Sequence, residues 1–305
     1  MNKRGMAIPF DWMFSLVAGI LIFSFLIYFA VQHTDLFGKI TTRVVAEELD
    51  VLFSGYETTE SKSVLDFKKE VELKFSCSTG QGQSFTVNNK EGKNLWGKII
   101  FAPKEIKSDK VNVATMSWDV PFRAANFIYL WDRKYNFENP PNLDILRSID
   151  STNGDTIIFR FVDHVDESPV CSEDGKIIYY IIEGGYYHGY VCFAKNEESV
   201  KFFGEAMMVG AIFTDDRDAL ICANKLAVNR LEIINEVYKE KANKLIESAD
   251  QFNYLCSYGE AMYNPSAVNN FDLGNDLNIQ FGYDDVNVVE TSNENLIREG
   301  CPSVY

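Results

Sequence analysis

Residues 213–252 read FTDDRDALICANKLAVNRLEIINEVYKEKANKLIESADQF, the strongest helical pattern in the chain. Apolar side chains recur at spacings of three and four, which places them on one face of a helix. Thr214 or Asp215 is positioned to cap its N-terminus. We expect this face to pack on the chain's own β-rich region; the alternative is an interface with another subunit. The stripe comprises Leu220, Ala223, Ala227, Leu231, Ile234, Tyr238, Ala242, Leu245, Ala249 and Phe252.

In the region before this helix, apolar residues recur at every second position instead of every three to four. A period of two is typical of half-buried β-strands. Residues 70–213 contain seven such segments, and Gly184-Gly185 between the last two predicts a hairpin turn. The strands are close together in sequence, so we expect antiparallel pairing. The predicted fold class is α+β, with an antiparallel β-rich domain over 70–213 and the long helix over 214–260. The segments read VELKFSC, SFTVN, LWGKIIF, VNVATMSW, TIIFRFV, KIIYYII and GYVCFA.

The N-terminal region contains an apolar segment, residues 13–33, without Asp, Glu, Lys or Arg. About twenty helical residues extend roughly 30 Å, the thickness of the hydrocarbon core of a bilayer. We therefore predict a transmembrane helix over 13–33 after a stub at 1–12, with the lipid bilayer as its partner. Helical spacing continues into a stalk over 34–55. A polar linker over 56–69 follows.

All six cysteines lie after this segment, and none belongs to a Cys-x-x-Cys pair. An even number of cysteines in a chain with three histidines favours disulfides over a zinc site. Disulfides place the large domain outside the cytoplasm, so we predict a single-pass protein of the cell membrane. The alternative is a set of buried thiols in a cytosolic domain. The pairs that chain geometry favours are Cys171 with Cys192 and Cys256 with Cys301.

The charge of the chain argues against one class of partner. The formal net charge is −15, and no long run of Lys or Arg offsets it. Such a surface repels phosphate backbones, so we expect no nucleic-acid binding.

The stretch KRGMAIPF (residues 3–10) places a short basic stub and a small residue before the apolar helix. This arrangement resembles the class III signal of archaeal and bacterial type IV pilin-like proteins. The resemblance covers about the first thirty residues, and it implies cleavage between Gly5 and Met6 and a partnership with other membrane or filament subunits. Phe10 stands where bacterial pilins commonly have Glu, and Asp11 follows it. The alternative is an uncleaved signal anchor.

Sequence motifs of catalytic or ligand-binding sites are scarce, and we predict no catalytic residue, cofactor or metal site. The cluster DHVDES (163–168) is local, whereas catalytic triads are assembled from separate parts of a fold. The acidic stretches at 272–278 and 283–287 do not fit the twelve-residue calcium loop. The hairpin tyrosines Tyr186, Tyr187 and Tyr190 form a candidate contact surface, unless they pack on their own sheet.

The tail over 261–305 is rich in Asn and Asp and is predicted to be irregular, with a short helix near 293–299. Taken together, these patterns predict a membrane-anchored extracytoplasmic protein with a structural, assembly or binding role, in one form a pilin-like subunit. The alternative is an anchored extracytoplasmic enzyme whose site is dispersed in sequence. The scarcity of catalytic motifs favours the first of these.

Overall fold

Two β-sheets and five helices make up the part of the chain that the computed structural model describes, namely residues 10–78, 82–147, 149, 154–163, 170–252, 256, 258 and 283–305. The helices are α1 (Phe10–Tyr56), α2 (Asp144–Arg147), α3 (Glu205–Phe213), α4 (Arg217–Phe252) and α5 (Tyr283–Arg298). The strands are β1 (Lys62–Ser78), β2 (Gly82–Val87), β3 (Glu91–Asn94), β4 (Ile99–Phe101), β5 (Glu105–Asp119), β6 (Arg123–Trp131), β7 (Tyr135–Glu138), β8 (Asp155–Phe161), β9 (Lys176–Glu183), β10 (Tyr186–Cys192) and β11 (Val200–Phe203). This content confirms the α+β class.

Both sheets are mixed, which corrects the prediction of an antiparallel domain. Sheet A has the order β3-β2-β1-β5-β6-β4, and its β4 runs parallel to β6. Sheet B has the order β11-β10-β9-β8-β7, with β7, β8 and β9 mutually parallel. Long connections precede β8 and β9, and connections of that length permit the crossovers that parallel pairing requires. Consecutive strands joined by short connections do pair antiparallel, as expected, and the parallel pairs join strands that are further apart in sequence.

Strand β6 explains how sheet A is covered on both faces. Its side chains from Phe127 to Trp131 are all buried, and alternate residues point to opposite faces of the sheet. Phe127 and Tyr129 join the core shared with sheet B, α3 and α4, whereas Ile128 joins the core beneath α1. The Tyr129 hydroxyl donates a hydrogen bond of 2.8 Å to the carbonyl oxygen of Ala206 and so connects sheet A to α3.

Helix α1 has two halves with opposite surroundings. Its C-terminal half packs Ala46, Leu49 and Phe53 against sheet A, with exposures of 0–1%. The side chains described over 15–29 are instead almost all exposed and include large apolar groups. Within the described residues, no helix meets the length and apolarity needed to cross a membrane.

The long helix α4 packs on its own domain with the predicted stripe. Leu220, Ala227 and Leu231 are fully buried in the core that also contains both sheets. Its cap differs from the prediction, because the Asp216 carboxylate accepts a hydrogen bond of 2.9 Å from the backbone N–H of Ala219. Thr214 instead ends α3, and its hydroxyl donates to the carbonyl oxygen of Gly210. The stripe residues 249 and 252 have side chains outside the described set.

Two predicted irregular segments contain regular structure. The predicted linker over 56–69 includes the first part of β1, which begins at Lys62 and pairs with β5. The predicted irregular tail contains α5 over Tyr283–Arg298, a longer helix than the one expected at 293–299. Val286 and Val289 of α5 are buried against the main core, so tertiary packing stabilises a helix whose local sequence is polar.

We expect Gly210→Ala to destabilise the fold, although replacing glycine within a helix usually stabilises it by about 1 kcal/mol. A Cβ at Gly210 would lie 2.6 Å from Cδ1 of the fully buried Phe101 ring. Such overpacking costs about 1–3 kcal/mol. The matched control is Gly55→Ala in α1, where a Cβ would meet nothing within 4 Å. Thermal melts should show a lower midpoint for the Gly210 variant alone; equal or higher midpoints for both variants would contradict the close packing of α3.

Candidate functional site

The described residues form an acidic surface cleft with a volume of about 620 Å³. It lies between the segment after β10 and the junction of α3 with α4. The first wall is fixed by the Cys171–Cys192 disulfide and by a hydrogen bond of 3.0 Å from the Cys171 N–H to the Glu197 carbonyl oxygen. The cleft is lined by Phe193, Ala194, Glu197, Glu198, Asp215, Asp216, Arg217 and Asp218.

Arg217 connects the two walls of the cleft. Its Nε donates to the Glu198 carbonyl oxygen, and one terminal nitrogen donates to the Glu198 carboxylate, both at 2.9 Å. Another terminal nitrogen lies 3.6 Å from Asp218 Oδ1. The side chains of Glu198 and Asp218 are largely exposed, so each ion pair contributes little free energy of folding.

Asp215 connects the cleft to sheet A. One carboxylate oxygen accepts a hydrogen bond of 2.8 Å from the backbone N–H of Lys104, which follows β4. The other lies 3.2 Å from a guanidinium nitrogen of Arg133, which follows β6. The neighbouring Asp216 is 3.6 Å from Lys104 Nζ. Most carboxylates of the cleft therefore already have a positively charged partner within the chain.

Lys176, the first residue of β9, lies beside this network. Its ammonium donates hydrogen bonds to the carbonyl oxygens of Ile212, at 2.9 Å, and of Thr214. It also lies 5.0 Å from the centre of the Phe193 ring. Although the side chain as a whole is only half-buried, burial of the ammonium lowers the pKa of Lys176 to about 7, opposed by the nearby Asp215 carboxylate.

The carbonyl partners of Lys176 decide its role. Ile212 and Thr214 stand at the C-terminal end of α3, where unpaired carbonyls and the helix dipole favour a cation. The ammonium therefore serves as a helix cap that joins sheet B to α3. A lysine that donates to two carbonyls has fewer protons free for acid–base chemistry with a ligand. We assign Lys176 a structural role rather than a catalytic one.

The hairpin tyrosines contact other side chains of their own domain, as the alternative in the sequence analysis has it, and they remain half-buried, so a contact surface stays a prediction. Tyr186 stacks on Phe203, with ring centres 5.6 Å apart, and Tyr190 stacks on Tyr179 at 4.7 Å. Tyr187 is half-buried against the main core. His188 lies between them, with Nε2 3.3 Å from Glu183 Oε2 but without hydrogen-bond alignment. Burial lowers the pKa of His188 and favours the neutral imidazole.

Several predicted features lie outside the described residues. These are Gly5 and Met6 of the possible processing site, residues 164–168 of the DHVDES cluster and the acidic stretch at 272–278. No group of three or more His, Cys, Asp or Glu side chains able to hold a metal ion occurs in the described part of the chain.

All six cysteines form disulfides, and the pairs include the two that the sequence analysis favours. Cys171 bonds to Cys192, and Cys256 bonds to Cys301. The third pair, Cys77 with Cys222, joins β1 to α4 across 145 residues of sequence.

Sequence reasoning missed the cleft and the charged network beside it. Asp215, Arg133 and Lys176 come from three separate segments, and each reads in isolation as an ordinary charged residue at the end of an element. Only the doublet at 215–216 was noticeable, and it was interpreted as part of a helix N-terminus. Comparison with protein-family models, with curated proteins and with solved structures gave no match to this chain.

Proposed function

We propose that this chain is a single-pass membrane protein whose disulfide-bonded domain lies outside the cytoplasm and acts by binding or assembly. The observation that carries the proposal is the contrast between the two halves of α1. Eleven large apolar side chains between Leu16 and Phe29 are each 46–65% exposed, whereas the C-terminal half of the same helix is built into the core. A contiguous apolar surface of that extent is costly in water and favourable in lipid.

The length of the apolar segment supports insertion across the bilayer. Residues 13–33 carry no ionisable acidic or basic side chain apart from His33 and Tyr28, and a helix of this length matches the hydrocarbon core. The ends of the segment, 13–14 and 30–33, have side chains outside the described set. The helix itself continues without interruption from Phe10 to Tyr56, so a bilayer span would be joined rigidly to the domain.

The disulfides support the orientation. Three bonds form and persist in an oxidising compartment, whereas thiols in the cytoplasm are kept reduced. The residues after 33 carry a net charge of −16, which discourages contact of the domain with anionic headgroups. A binding or assembly role is favoured over catalysis because most carboxylates of the cleft already have a positively charged partner within the chain and Lys176 caps α3.

The proposal predicts that the full chain sediments with membranes and resists extraction by alkaline carbonate. Each arginine placed at the bilayer centre costs about 2.5–3.5 kcal/mol, so Phe23→Arg combined with Leu26→Arg should release the chain. The matched control is Val51→Arg on the other half of α1, where the native side chain is 72% exposed. External protease applied to intact cells should digest the domain.

Two results would contradict this proposal. A wild-type chain that stays in the soluble fraction excludes the anchor, and a domain protected from external protease reverses the orientation. The mass measured for the mature N-terminus then distinguishes an uncleaved anchor from one that has been cleaved. An intact N-terminus supports an uncleaved signal anchor, whereas a chain beginning at Met6 supports a processed, pilin-like subunit.

A further inference from the structure

The outward face of α4 carries a second regular stripe, opposite the buried one. Its members follow one another at spacings of four and three, which is the repeat of a coiled-coil seam. Ile233 and Val237 are 58% and 59% exposed, and they lie one turn apart at the middle of the stripe. We call this stripe the outer seam; it comprises Leu226, which is half-buried against the main core, and the exposed Arg230, Ile233, Val237, Glu240 and Lys244.

Trp96 stands beside the outer seam. It belongs to the connection between β3 and β4, and its side chain is 75% exposed. Together with Leu226, Arg230 and Ile233 it lines a groove of about 270 Å³. The next residue, Gly97, has a φ of +75°, a conformation that other residues rarely adopt, so the turn after Trp96 requires glycine. An exposed tryptophan next to an apolar seam is typical of an interaction surface, because tryptophan is enriched among residues that dominate binding energy.

Two of the three charged residues of the outer seam complement a second copy in one orientation. In an antiparallel helix pair centred at position 235, Arg230 faces Glu240 of the second copy, and Ile233 faces Val237 of the second copy. Arg230 has no ion pair with any residue that the structure describes, and Glu240 lies 3.2 Å from Lys244 of its own chain. Parallel pairing would instead place Arg230 against Arg230 and Glu240 against Glu240, which is repulsive.

We propose that the outer seam and Trp96 form a homodimer interface in which two α4 helices pack antiparallel. Each dimer then contains two Arg230–Glu240 ion pairs, and the two Ile233–Val237 contacts remove the most exposed apolar groups of α4 from water. In this arrangement each heptad position "a" of one helix lies opposite a position "d" of the other helix, as in antiparallel coiled coils.

The interface is small. From Leu226 to Lys244 the seam extends about 27 Å, and a helix pair of that length buries less than the roughly 1,600 Å² of a standard stable interface. We therefore expect weak association in dilute solution. Two copies held in one membrane have a higher effective concentration, which strengthens the association. That last step rests on the proposed function, whereas the choice of surface and orientation does not.

Disulfide trapping tests both the surface and its orientation, because every native cysteine is already paired and an added cysteine is the only free thiol. The full chain is prepared as Ile233→Cys and as Val237→Cys, reconstituted in phospholipid vesicles separately and as a mixture, and then oxidised. A disulfide needs Cα atoms within about 4.4–6.8 Å, and antiparallel packing brings 233 of one copy next to 237 of the other, whereas parallel packing brings identical positions together. We expect several-fold more covalent dimer from the mixture than from either variant alone.

Charge reversal tests the ion pairs independently. Adding Arg230→Glu to both cysteine variants should reduce the dimer yield several-fold, and adding Glu240→Arg as well should restore it. Asp144→Cys is the matched control, because that side chain is 99% exposed on a different element and should give background dimer only. Three results would overturn the proposal. Covalent dimers from the single variants would show parallel packing, and a background dimer yield from the mixture would exclude this face of α4. A dimer yield that charge reversal leaves unchanged would exclude the ion pairs.

Discussion

Leu231→Asp should unfold the domain, whereas Ile233→Asp, two residues further along the same helix, should leave it folded. Leu231 is fully buried in the core between the two sheets, and Ile233 is 58% exposed. Replacing Leu231 forfeits about 1.5–3 kcal/mol of burial and places a carboxylate in an apolar site, which costs several kcal/mol more. The sum is comparable to the whole stability of a typical domain, about 5–15 kcal/mol.

Thermal melts followed by near-ultraviolet circular dichroism would measure this difference on the full chain. The Leu231 variant should lack a cooperative transition, and the Ile233 variant should melt close to the wild type. If the buried stripe were a subunit interface, the Leu231 variant would instead stay folded and lose only association. The Ile233 variant should remain folded and lose the antiparallel dimer, so one pair of variants separates folding from assembly.

Removing the Cys77–Cys222 disulfide should destabilise the domain more than removing Cys171–Cys192. A cross-link restricts the unfolded chain more when it closes a longer loop, and the two loops span 145 and 21 residues. The chain-entropy relation gives about 5 kcal/mol for the first and about 3 kcal/mol for the second. Cys77 and Cys222 also join β1 to α4, so their loss removes a covalent link between the long helix and sheet A.

Denaturant unfolding of two double variants would check which disulfide contributes more to the stability of the domain. Cys77→Ala with Cys222→Ala should have the lower midpoint, and Cys171→Ala with Cys192→Ala should lie between it and the wild type. Alanine leaves no polar group at Cys222, which is only 4% exposed. The opposite order would mean that the short loop stabilises the native state by fixing the wall of the acidic cleft, rather than by restricting the unfolded chain.

Local patterns in the sequence determined the elements whose faces differ in polarity. The stripe of α4 has apolar groups on one side and charged groups on the other, so its period alone identified a helix and its buried face. The Gly184-Gly185 turn followed from its two glycines, both of which adopt positive φ values. The Cys171–Cys192 pair followed from the hairpin that this turn closes.

The tertiary structure decided the features that depend on contacts between distant segments of the chain. The sequence of α3 reads EAMMVGAIF, and eight of its nine residues are buried. A segment covered on all sides has no polar face, so no period distinguishes it from a buried strand, and it was not recognised as a helix. The parallel strands, the Cys77–Cys222 bond and the charged cleft each join segments far apart in sequence. Their partners are set by how the two sheets pack around α3, and local periodicity carries no information about that packing.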